Sequence, residues 1–461
     1  MRVDVEVEAV PVEATARLAE VCLRFGVPLA GSARSVARGV ELDLRPGTIT
    51  LVLGPSGAGK TRLLRAVERQ CPTARWVNTL PFPLDVSVLD AVAPARPLHE
   101  ALGILTACGL GEPMLWIRSF DQLSEGEKFR ARLARSLSLR RRNEESGPLL
   151  CDEFGAVLHD RVTHGVAFGL RKLVDRQKLT LLVATCRDDL EEDLQPDRAV
   201  RMGAREAISG QESTISKTTG AISRRSFSLL PRLRIEAGTV RDYEPFAAWH
   251  YRGGDSLGFV DKVFVLREQS GGAGLGVVVY GRPVLELALR NQVTGGRFSG
   301  RPERLNAEVR VLKRLVIHPD VRGCGLGHWL VRRTLPLVGT PYVECLAAMG
   351  AVNPVFEKAG MTRVGTVALP PAQERVLAAL RTEGVDPWAA DFVVRMSQRP
   401  AARQRVADSI VTWYRGMTRS GRQRVARLTP STLAQVFRQI AGSRPVYFWW
   451  QGQEEQSMSG R

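Results

Sequence analysis

The stretch "GPSGAGKT", residues 54–61, matches the pattern G-x-x-x-x-G-K-[ST] and decides the fold of the first half of the chain. It follows the apolar run "TITLVL" and precedes "KTRLLRAVERQ", whose apolar residues recur with a helical period. A glycine-rich turn between a buried strand and a helix curls its backbone N–H groups around phosphates. The residues that we expect to bind a nucleotide's phosphates are Gly54, Pro55, Ser56, Gly57, Ala58, Gly59, Lys60 and Thr61.

Two further apolar runs predict strands of the same sheet, "GPLLCDE" at 147–153 and "LTLLVATC" at 179–186. The helical pattern "DRVTHGVAFGLRKLVDRQ" lies between them. Strand, helix and strand in this order predict a parallel sheet, and hence an α/β fold.

Two acidic residues end the first of these strands. We expect Asp152 to hold Mg²⁺ together with the hydroxyl of Thr61. We expect Glu153 to orient or deprotonate the attacking water.

The segment "LSEGEKFRARLARSL", residues 123–137, lies between the glycine-rich turn and the acidic pair. Ser124 is placed to cap a helix, and Gly126 permits an anion to approach the N-terminus of that helix closely.

Together these three motifs resemble the ABC-type ATPases, over about residues 1–205. The resemblance implies ATP and Mg²⁺ as ligands, and a homodimer in which two nucleotide domains face each other head to tail. Ser124 and Gly126 of one copy would then contact the nucleotide bound at Lys60 of the other. Where that family has a switch histidine this chain has Cys186, and the stretch "WVNTLPFPLDVSVLD", residues 76–90, contains no clear counterpart of the family's glutamine.

A segment rich in Ser, Thr and Gly, residues 206–230, predicts a linker. Beyond it, "RGCGLG" at 322–327 gives the pattern R-x-x-G-x-G between the strand "RLVIHP" and the helix "GHWLVRRTL". Its amides would point outward at a helix N-terminus, where hydrogen bonds and the helix dipole both stabilise a pyrophosphate.

With "NPVFEKAGM" at 353–361, which follows the strand "YVECLA", this turn resembles motifs A and B of the GNAT acetyltransferases, over about residues 231–370. The resemblance implies a GNAT-like α/β acyltransferase domain that binds acetyl-CoA. The residues it implies for the cofactor are Leu315, Val316 and Ile317 along the pantetheine arm, Arg322, Gly323, Cys324, Gly325, Leu326 and Gly327 at the pyrophosphate, and Asn353 at its border.

Acetyl transfer needs a group that removes a proton from the acceptor amine. Glu308, on the predicted strand before the turn, is the candidate, and the alternative is a glutamate on the surface of that strand. Many members of the family place a tyrosine where this chain has Phe356, so the proton for the leaving thiolate comes from elsewhere or the domain only binds. Cys345 is an alternative donor or a packing residue, and His250 contacts a substrate or packs in the core.

The charge of the chain is uneven. The net charge is +17, and eleven arginines against the single acid Asp408 lie between Arg395 and Arg444. The run predicts contact with RNA or another nucleic acid, or else a solvated helical face. Residues 371–461 have a mostly helical pattern, which predicts a basic C-terminal extension.

The composition excludes some classes of protein. Seven widely spaced cysteines argue against a disulfide framework or a zinc site, and no apolar run is long enough for a membrane span. We therefore expect a soluble, cytoplasmic ATPase that also transfers acetyl groups to a macromolecular amine, on RNA or protein. The alternatives are a nucleic-acid clamp whose GNAT domain only binds coenzyme A and, less favoured, the ATPase subunit of a transporter.

Overall fold

The computed structural model describes residues 1–7, 13, 15–26, 34–139, 147–203, 215–216, 227–250, 257–417, 421–442 and 444–452. Most of the predicted linker at 206–230 lies outside these ranges. The chain divides into two compact units. The first unit comprises 1–256, 263–278 and 315–330, and the second comprises 257–262, 279–314 and 331–461.

The strands are β1 (Arg2–Val7), β2 (Arg34–Glu41), β3 (Ile49–Leu53), β4 (Arg75–Trp76), β5 (Leu149–Cys151), β6 (Leu181–Thr185), β7 (Arg198–Arg201), β8 (Ile215–Ser216), β9 (Leu233–Gly238), β10 (Val260–Glu268), β11 (Gly276–Gly281), β12 (Val309–Ile317), β13 (Tyr342–Ala347), β14 (Thr362–Thr366) and β15 (Val446–Gln451).

The helices in the first half of the chain are α1 (Ala16–Phe25), α2 (Lys60–Gln70), α3 (Val88–Val92), α4 (Leu98–Ala107), α5 (Pro113–Trp116), α6 (Glu125–Ser138), α7 (Asp160–Gln177) and α8 (Glu191–Leu194). Those in the second half are α9 (Val240–Ala247), α10 (Ala288–Thr294), α11 (Pro302–Glu308), α12 (Leu326–Thr334), α13 (Val355–Lys358), α14 (Pro371–Thr382), α15 (Phe392–Ser397), α16 (Pro400–Met417), α17 (Gly421–Ala426) and α18 (Pro430–Gly442).

The first unit contains a six-stranded sheet in the order β4-β5-β6-β3-β7-β8. The five strands from β4 to β7 in this order pair in parallel, and β8 pairs antiparallel with β7. Every residue of β3, β5 and β6 is buried, as a parallel sheet covered on both faces requires. The sequence prediction of an α/β fold with strands at these places is therefore confirmed.

The second sheet has seven strands in the order β14-β15-β13-β12-β11-β10-β9. β12 and β13 are parallel, whereas β9 with β10 and β15 with both β13 and β14 are antiparallel. The register of β12 on β13 runs from Val309 opposite Tyr342 to Leu312 opposite Cys345, and β12 then continues to Ile317.

The C-terminal segment differs from the sequence prediction of an extension that begins at residue 371. Its last strand, β15, lies between β13 and β14 in the sheet, so the helices from α14 to α18 are inserted between two strands of that sheet. The inserted helices have a core of their own, which includes Leu380, Phe392 and Phe437. The uninterrupted apolar run "VYFWW" allows this, because a strand covered on both faces needs apolar side chains on both.

A buried ion pair joins three elements of the second unit. Arg290 on α10 donates through Nε and Nη2 to the two carboxylate oxygens of Glu344 on β13, each at 2.9 Å. The hydroxyl of Tyr447 on β15 donates to the same carboxylate at 2.9 Å. Both charged side chains are almost fully buried, so the pair depends on these matched hydrogen bonds.

Breaking this pair on one side should destabilise the protein strongly. We expect Glu344→Leu to lower the free energy of unfolding by about 3 to 5 kcal/mol, because it leaves the Arg290 charge buried without the carboxylate that neutralises it. Tyr447→Phe removes one hydrogen bond to a charged group and should cost about 1 to 3 kcal/mol. Urea denaturation measures both, and the double variant Arg290→Met with Glu344→Leu should lose less than Glu344→Leu alone. Equal or greater loss in the double variant would contradict the interpretation.

A second polar cluster lies in the first unit around His164 on α7. Its Nδ1 lies 2.7 Å from Oδ2 of the buried Asp193, and its Nε2 lies 3.2 Å from Asp189. Asp193 also accepts hydrogen bonds from the backbone N–H and the hydroxyl of Ser228. The hydrogen bond to Asp193 raises the pKa of His164 above its ordinary value, against burial and the nearby charge of Arg187.

The raised pKa makes the stability of this cluster depend on pH. A histidine that is charged more readily in the folded state stabilises the fold fully below its ordinary pKa, and this contribution is lost as pH rises through the raised value. His164→Asn should therefore lower the urea midpoint most near pH 5.5 and progressively less towards pH 9. The exposed His99 on α4 offers the control His99→Asn, whose effect should not vary in this way. A loss for His164→Asn that is independent of pH would refute this assignment.

Candidate functional site

The glycine-rich turn at 54–61 joins β3 to α2, as predicted. Gly59 caps α2 with φ +92°, a left-handed conformation that glycine adopts without strain. The ammonium of Lys60 donates to the carbonyls of Gly54 at 2.7 Å and Pro55 at 2.8 Å. The loop's own carbonyls thus hold the cation at the place where the predicted phosphates would compete for it.

Thr61 and Asp152 meet across the end of the sheet. The hydroxyl of Thr61 donates to Asp152 Oδ2 at 2.7 Å, which places a hydroxyl and a carboxylate oxygen side by side. Oxygen ligands of these two kinds suit Mg²⁺, so the residues present fit the expected ion. The sequence analysis placed both residues here from strand order alone, and the structure brings them together.

The sequence analysis missed Asn78. Its side-chain amide donates to the carbonyl of Asp152 at 2.9 Å, and its Oδ1 accepts from the N–H of Asp152 at 3.0 Å. Asn78 stands two residues beyond β4, in the stretch where no glutamine was found. The available signal was an uncharged polar residue two positions beyond the short strand Arg75–Trp76.

Glu153 follows Asp152 at the end of β5. It is exposed, and its φ of +50° is in the left-handed region, which costs a residue with a side chain on the order of 1 kcal/mol. Its N–H donates to Asp152 Oδ1 at 3.0 Å. Cys186, in the place of a switch histidine, is likewise exposed directly after β6.

Ser124 caps α6, as the sequence predicted. The N–H of Glu127 donates to Ser124 Oγ at 3.4 Å, and the N–H of Ser124 donates to the carboxylate of Glu127 at 2.8 Å. A Cβ atom at Gly126 would lie 3.1 Å from the carbonyl of Val157, so the glycine keeps α6 close to the segment that follows Glu153.

The second glycine-rich turn, residues 322–327, leads into α12 as predicted, but its arginine does not face outward. The guanidinium of Arg322 donates to the carbonyls of Ile317 at 2.9 Å, Gly111 at 3.2 Å and Trp249 at 3.1 Å. These three bonds engage every nitrogen of the group, because peptide carbonyls attract a guanidinium that burial removes from water. The Arg322 side chain therefore binds protein, and the backbone N–H groups of the turn are the candidate anion ligands.

The other residues implied for acetyl-CoA lie as follows. Leu315, Val316 and Ile317 end β12, Gly323 and Gly325 have positive φ, and Leu326 begins α12. Burial raises the pKa of Cys324 to about 12, so this thiol stays protonated. Asn353 lies before α13 and donates its N–H to the carbonyl of Met349 at 2.8 Å.

Glu308 differs from the prediction. It is the last residue of α11 and not part of the strand that follows. Its carboxylate accepts from Arg297 at 2.7 Å and from Arg304 at 2.8 Å. Burial raises its pKa, but these two arginines outweigh burial and hold the pKa below its ordinary value. Glu308 is therefore ionised but weakly basic.

The other candidate proton donors are buried. The ring of Phe356 packs on Phe448 with centroids 5.2 Å apart. Burial raises the pKa of Cys345 far above the ordinary range of a thiol, so this residue packs in the sheet. His250 follows Trp249, whose ring packs against that of His318, and Tyr251 and Arg252 lie outside the described residues.

Several arginines of the basic run at 395–444 bind the loop between α14 and α15. Arg395 and Arg399 donate to the carbonyls of Gly384 and Glu383, and Arg405 pairs with the carboxylate of Glu383. Arg438 donates to the carbonyls of Pro387 and Ala389. These arginines hold the inserted helices to that loop, so their positive charge does not simply form a solvated helical face. Arg419 and the side chains of Arg415, Arg422 and Arg424 lie outside the described residues.

Two kinds of feature are absent from the part of the chain that the structure describes. It contains no cluster of three or more His, Cys, Asp or Glu side chains suited to a metal ion. Within the same residues, every helix is too short or too polar to cross a membrane.

The chain is similar in sequence to ATP-binding proteins of import systems. The aliphatic sulfonates import ATP-binding protein SsuB of Delftia acidovorans is 36% identical over 184 residues, which are 35% of this chain and 70% of that protein. The phosphate import ATP-binding protein PstB of Aeropyrum pernix is 25% identical over 195 residues, 33% of this chain and 75% of that protein. No model of a protein family matches the chain.

Among solved structures, the dimeric bacterial ABC transporter cassette MJ0796 is 16% identical and covers 41% of this chain and 94% of its own, with a TM-score of 0.32. A post-hydrolysis state of that cassette bound to ADP and Pi covers 42% of this chain at a TM-score of 0.33. The match to SsuB covers about a third of this chain. Through that part, which binds ATP, the chain belongs to the ABC-type ATPases.

Proposed function

We propose that this ABC-type ATPase also binds acetyl-CoA through the turn at 322–327 and transfers the acetyl group to an amine of a macromolecule. The observation that carries the proposal is the second sheet. It combines a parallel pair, β12 with β13, with the interposed antiparallel strand β15. This topology supports the resemblance to the GNAT acetyltransferases that the turn and "NPVFEKAGM" suggest.

In the ATPase reaction, Lys60 leaves the carbonyls of Gly54 and Pro55 and binds the terminal phosphates. Thr61 and Asp152 would hold Mg²⁺, which would supply positive charge to neutralise the phosphates. Glu153 is exposed next to Asp152 and orients the attacking water. We further propose a head-to-tail homodimer, in which Ser124 and Gly126 at the start of α6 contact the nucleotide of the second copy.

Acetyl-CoA binding is supported by the end of β12. Five residues, 313–317, continue the strand past the last pair with β13 at Leu312. At the two ends of this segment, the carbonyl of Lys313 accepts from Arg314 at 2.9 Å and the carbonyl of Ile317 accepts from Arg322 at 2.9 Å. An extended pantetheine arm would lie along the backbone between them, as the resemblance implies. The strand leads through Pro319–Val321 into the turn, whose amides lie at the start of the nine-residue helix α12. A pyrophosphate there gains hydrogen bonds and the favourable end of the helix dipole.

Transfer in this proposal depends on positioning more than on a strong base. Holding the amine against the thioester supplies several kcal/mol of the barrier. Glu308 is ionised, and its two arginines keep its basicity low. It accepts the amine proton through a water molecule, but it is not the main source of the rate enhancement. Phe356 cannot donate a proton, and the thiolate therefore takes its proton from solvent.

The acceptor is an amine on RNA or on a protein. The basic run favours RNA, although Arg395, Arg399, Arg405 and Arg438 bind the protein itself. The competing function is a clamp that binds coenzyme A without turnover, and the burial of Phe356 favours it. The relatives are ATP-binding proteins of import systems, which keeps the role of a transporter ATPase as a third candidate.

Glu153→Gln should separate nucleotide binding from hydrolysis. The amide cannot accept a proton from water, so we expect the rate of ATP hydrolysis to fall by about 10²-fold or more while ATP still binds. Phosphate release measures the rate, and fluorescence of a labelled nucleotide measures binding. The matched control is Glu68→Gln, an exposed glutamate on α2, which should hydrolyse ATP normally. Retained hydrolysis in Glu153→Gln would remove the role proposed for this carboxylate.

Gly325→Asp should remove acetyl-CoA binding. A carboxylate in the turn repels the pyrophosphate, and we expect the affinity measured by calorimetry to fall by tenfold or more. Gly384→Asp makes the same change at another glycine of positive φ, where a Cβ atom meets nothing within 4 Å, and should bind acetyl-CoA as the unaltered protein does. Equal loss in both variants would indicate a general effect on folding.

Transfer itself is tested with acetyl-CoA labelled in the acetyl group. Label that appears in RNA or in protein, and is lost in Gly325→Asp, supports the transferase and names the acceptor class. Binding without transfer to either class favours the clamp. The absence of any acetyl-CoA binding overturns the proposed function of the second sheet and leaves an ATPase alone.

A further inference from the structure

We propose that the loop between α4 and α5, residues 108–112, couples the nucleotide site to the turn at 322–327, so that ATP changes the affinity for acetyl-CoA. The proposal concerns the regulation of the acetyl-CoA site and rests on the function proposed above. All the residues that carry it belong to the first unit.

Three consecutive carbonyls of this loop are each held by a side chain from a different element. Arg130 on α6 donates to Gly109 at 2.5 Å, and the indole N–H of Trp116 on α5 donates to Leu110 at 2.7 Å. Arg322 of the turn donates to Gly111 at 3.2 Å. The loop therefore cannot move relative to α6 or to the turn without breaking a hydrogen bond to a guanidinium or to an indole N–H.

Two helices of the first unit, α4 and α7, also pack directly against the turn. A Cβ atom at Gly323 would clash with the carbonyl oxygen of Thr106 on α4, so glycine is needed for this approach. On the other side, a Cβ atom at Gly165 of α7 would lie 3.1 Å from Cys324 Sγ and from the carbonyl of Asp320. The turn is thus enclosed by α4 and α7, and a displacement of either helix moves its amides.

Electrostatic interactions also connect Arg130 with Arg322. The carboxylate of Glu112, at the end of the loop, faces both Arg130 and Arg322, and Arg130 also faces Asp320 directly before the turn. Both guanidinium groups are largely buried, so each depends on these few acceptors. The loss of one contact therefore leaves a buried guanidinium donor unpaired, and this disturbs the neighbouring hydrogen bond.

In the proposed dimer, the nucleotide contacts the start of α6. Ser124 and Gly126 lie there, and Arg130 Nε donates to the carbonyl of Gly126 at 3.1 Å. A nucleotide that shifts this first turn of the helix shifts Arg130, then Gly109 and the loop, and then Gly111 with Arg322. Coupling of this kind is reciprocal, so acetyl-CoA must change nucleotide affinity by the same factor.

The test measures acetyl-CoA affinity by calorimetry with and without a non-hydrolysable ATP analogue and Mg²⁺. We expect the two dissociation constants to differ by about fivefold or more, and the affinity for the analogue to change equally with acetyl-CoA. Trp116→Phe, which removes one hydrogen bond and keeps the ring, should reduce the ratio. Arg130→Lys, which loses the fork of donors, should bring it close to one.

The matched control is Arg135→Lys. Arg135 lies on the same helix, and its guanidinium also donates to carbonyls, but those belong to Pro81 and Ala91 and not to the loop. It should leave the ratio unchanged. A loss of coupling in Arg135→Lys equal to that in Arg130→Lys would contradict the assigned path.

The outcomes separate this inference from the proposed function. Acetyl-CoA that binds equally with and without the analogue overturns the coupling and leaves the binding site intact. If acetyl-CoA does not bind, the proposed function fails, and hydrogen exchange decides the coupling. In that case, protection of the amides at 322–327 must change with the analogue in the unaltered protein and not in Arg130→Lys, or the coupling is overturned as well.

Discussion

The hydrogen bond from Thr61 to the carboxylate of Asp152 is the contact on which the nucleotide site depends. It joins the start of α2, the helix that follows β3, to the end of β5, and β6 lies between β3 and β5 in the sheet. Only a parallel sheet brings these ends to one edge, because the carboxyl ends of all its strands then lie on the same side. The buried apolar runs in β3, β5 and β6 fix that sheet and thereby the distance between the two oxygens.

Much of this half was predictable because its signals are local. An apolar strand, a glycine-rich turn and a helix follow one another within residues 48–70, and each element is specified by residues next to it in sequence. Asp152 follows from the same logic. Asn78 does not, because its contact with the backbone of Asp152 depends on how β4 and β5 pair, which no local pattern specifies.

The second half was less predictable, since its decisive contacts are distant in sequence. The pattern R-x-x-G-x-G located the turn and the start of α12, but not the fact that Arg322 binds the carbonyl of Gly111, 211 residues away. Glu308 was assigned to a strand because helix and strand meet there at one residue boundary. The strand β15 was assigned to a helical segment because eighteen-residue and thirteen-residue helices precede it, and its partners β13 and β14 lie before them.

The difference at Arg322 has its physical cause in how this chain uses arginine. A guanidinium has five donors in a rigid plane and stays charged when buried, so it can hold several peptide carbonyls at once. Arg322, Arg130 and Arg438 each do so, and Arg290 adds a carboxylate. The net charge of +17 therefore includes two contributions, the charge available to a polyanion and the charge that holds loops together. The sequence alone gives the total and does not separate the two contributions. The arginines that hold carbonyls connect separate elements of the chain, so part of the charge that suggests a nucleic-acid partner serves instead to hold the protein together.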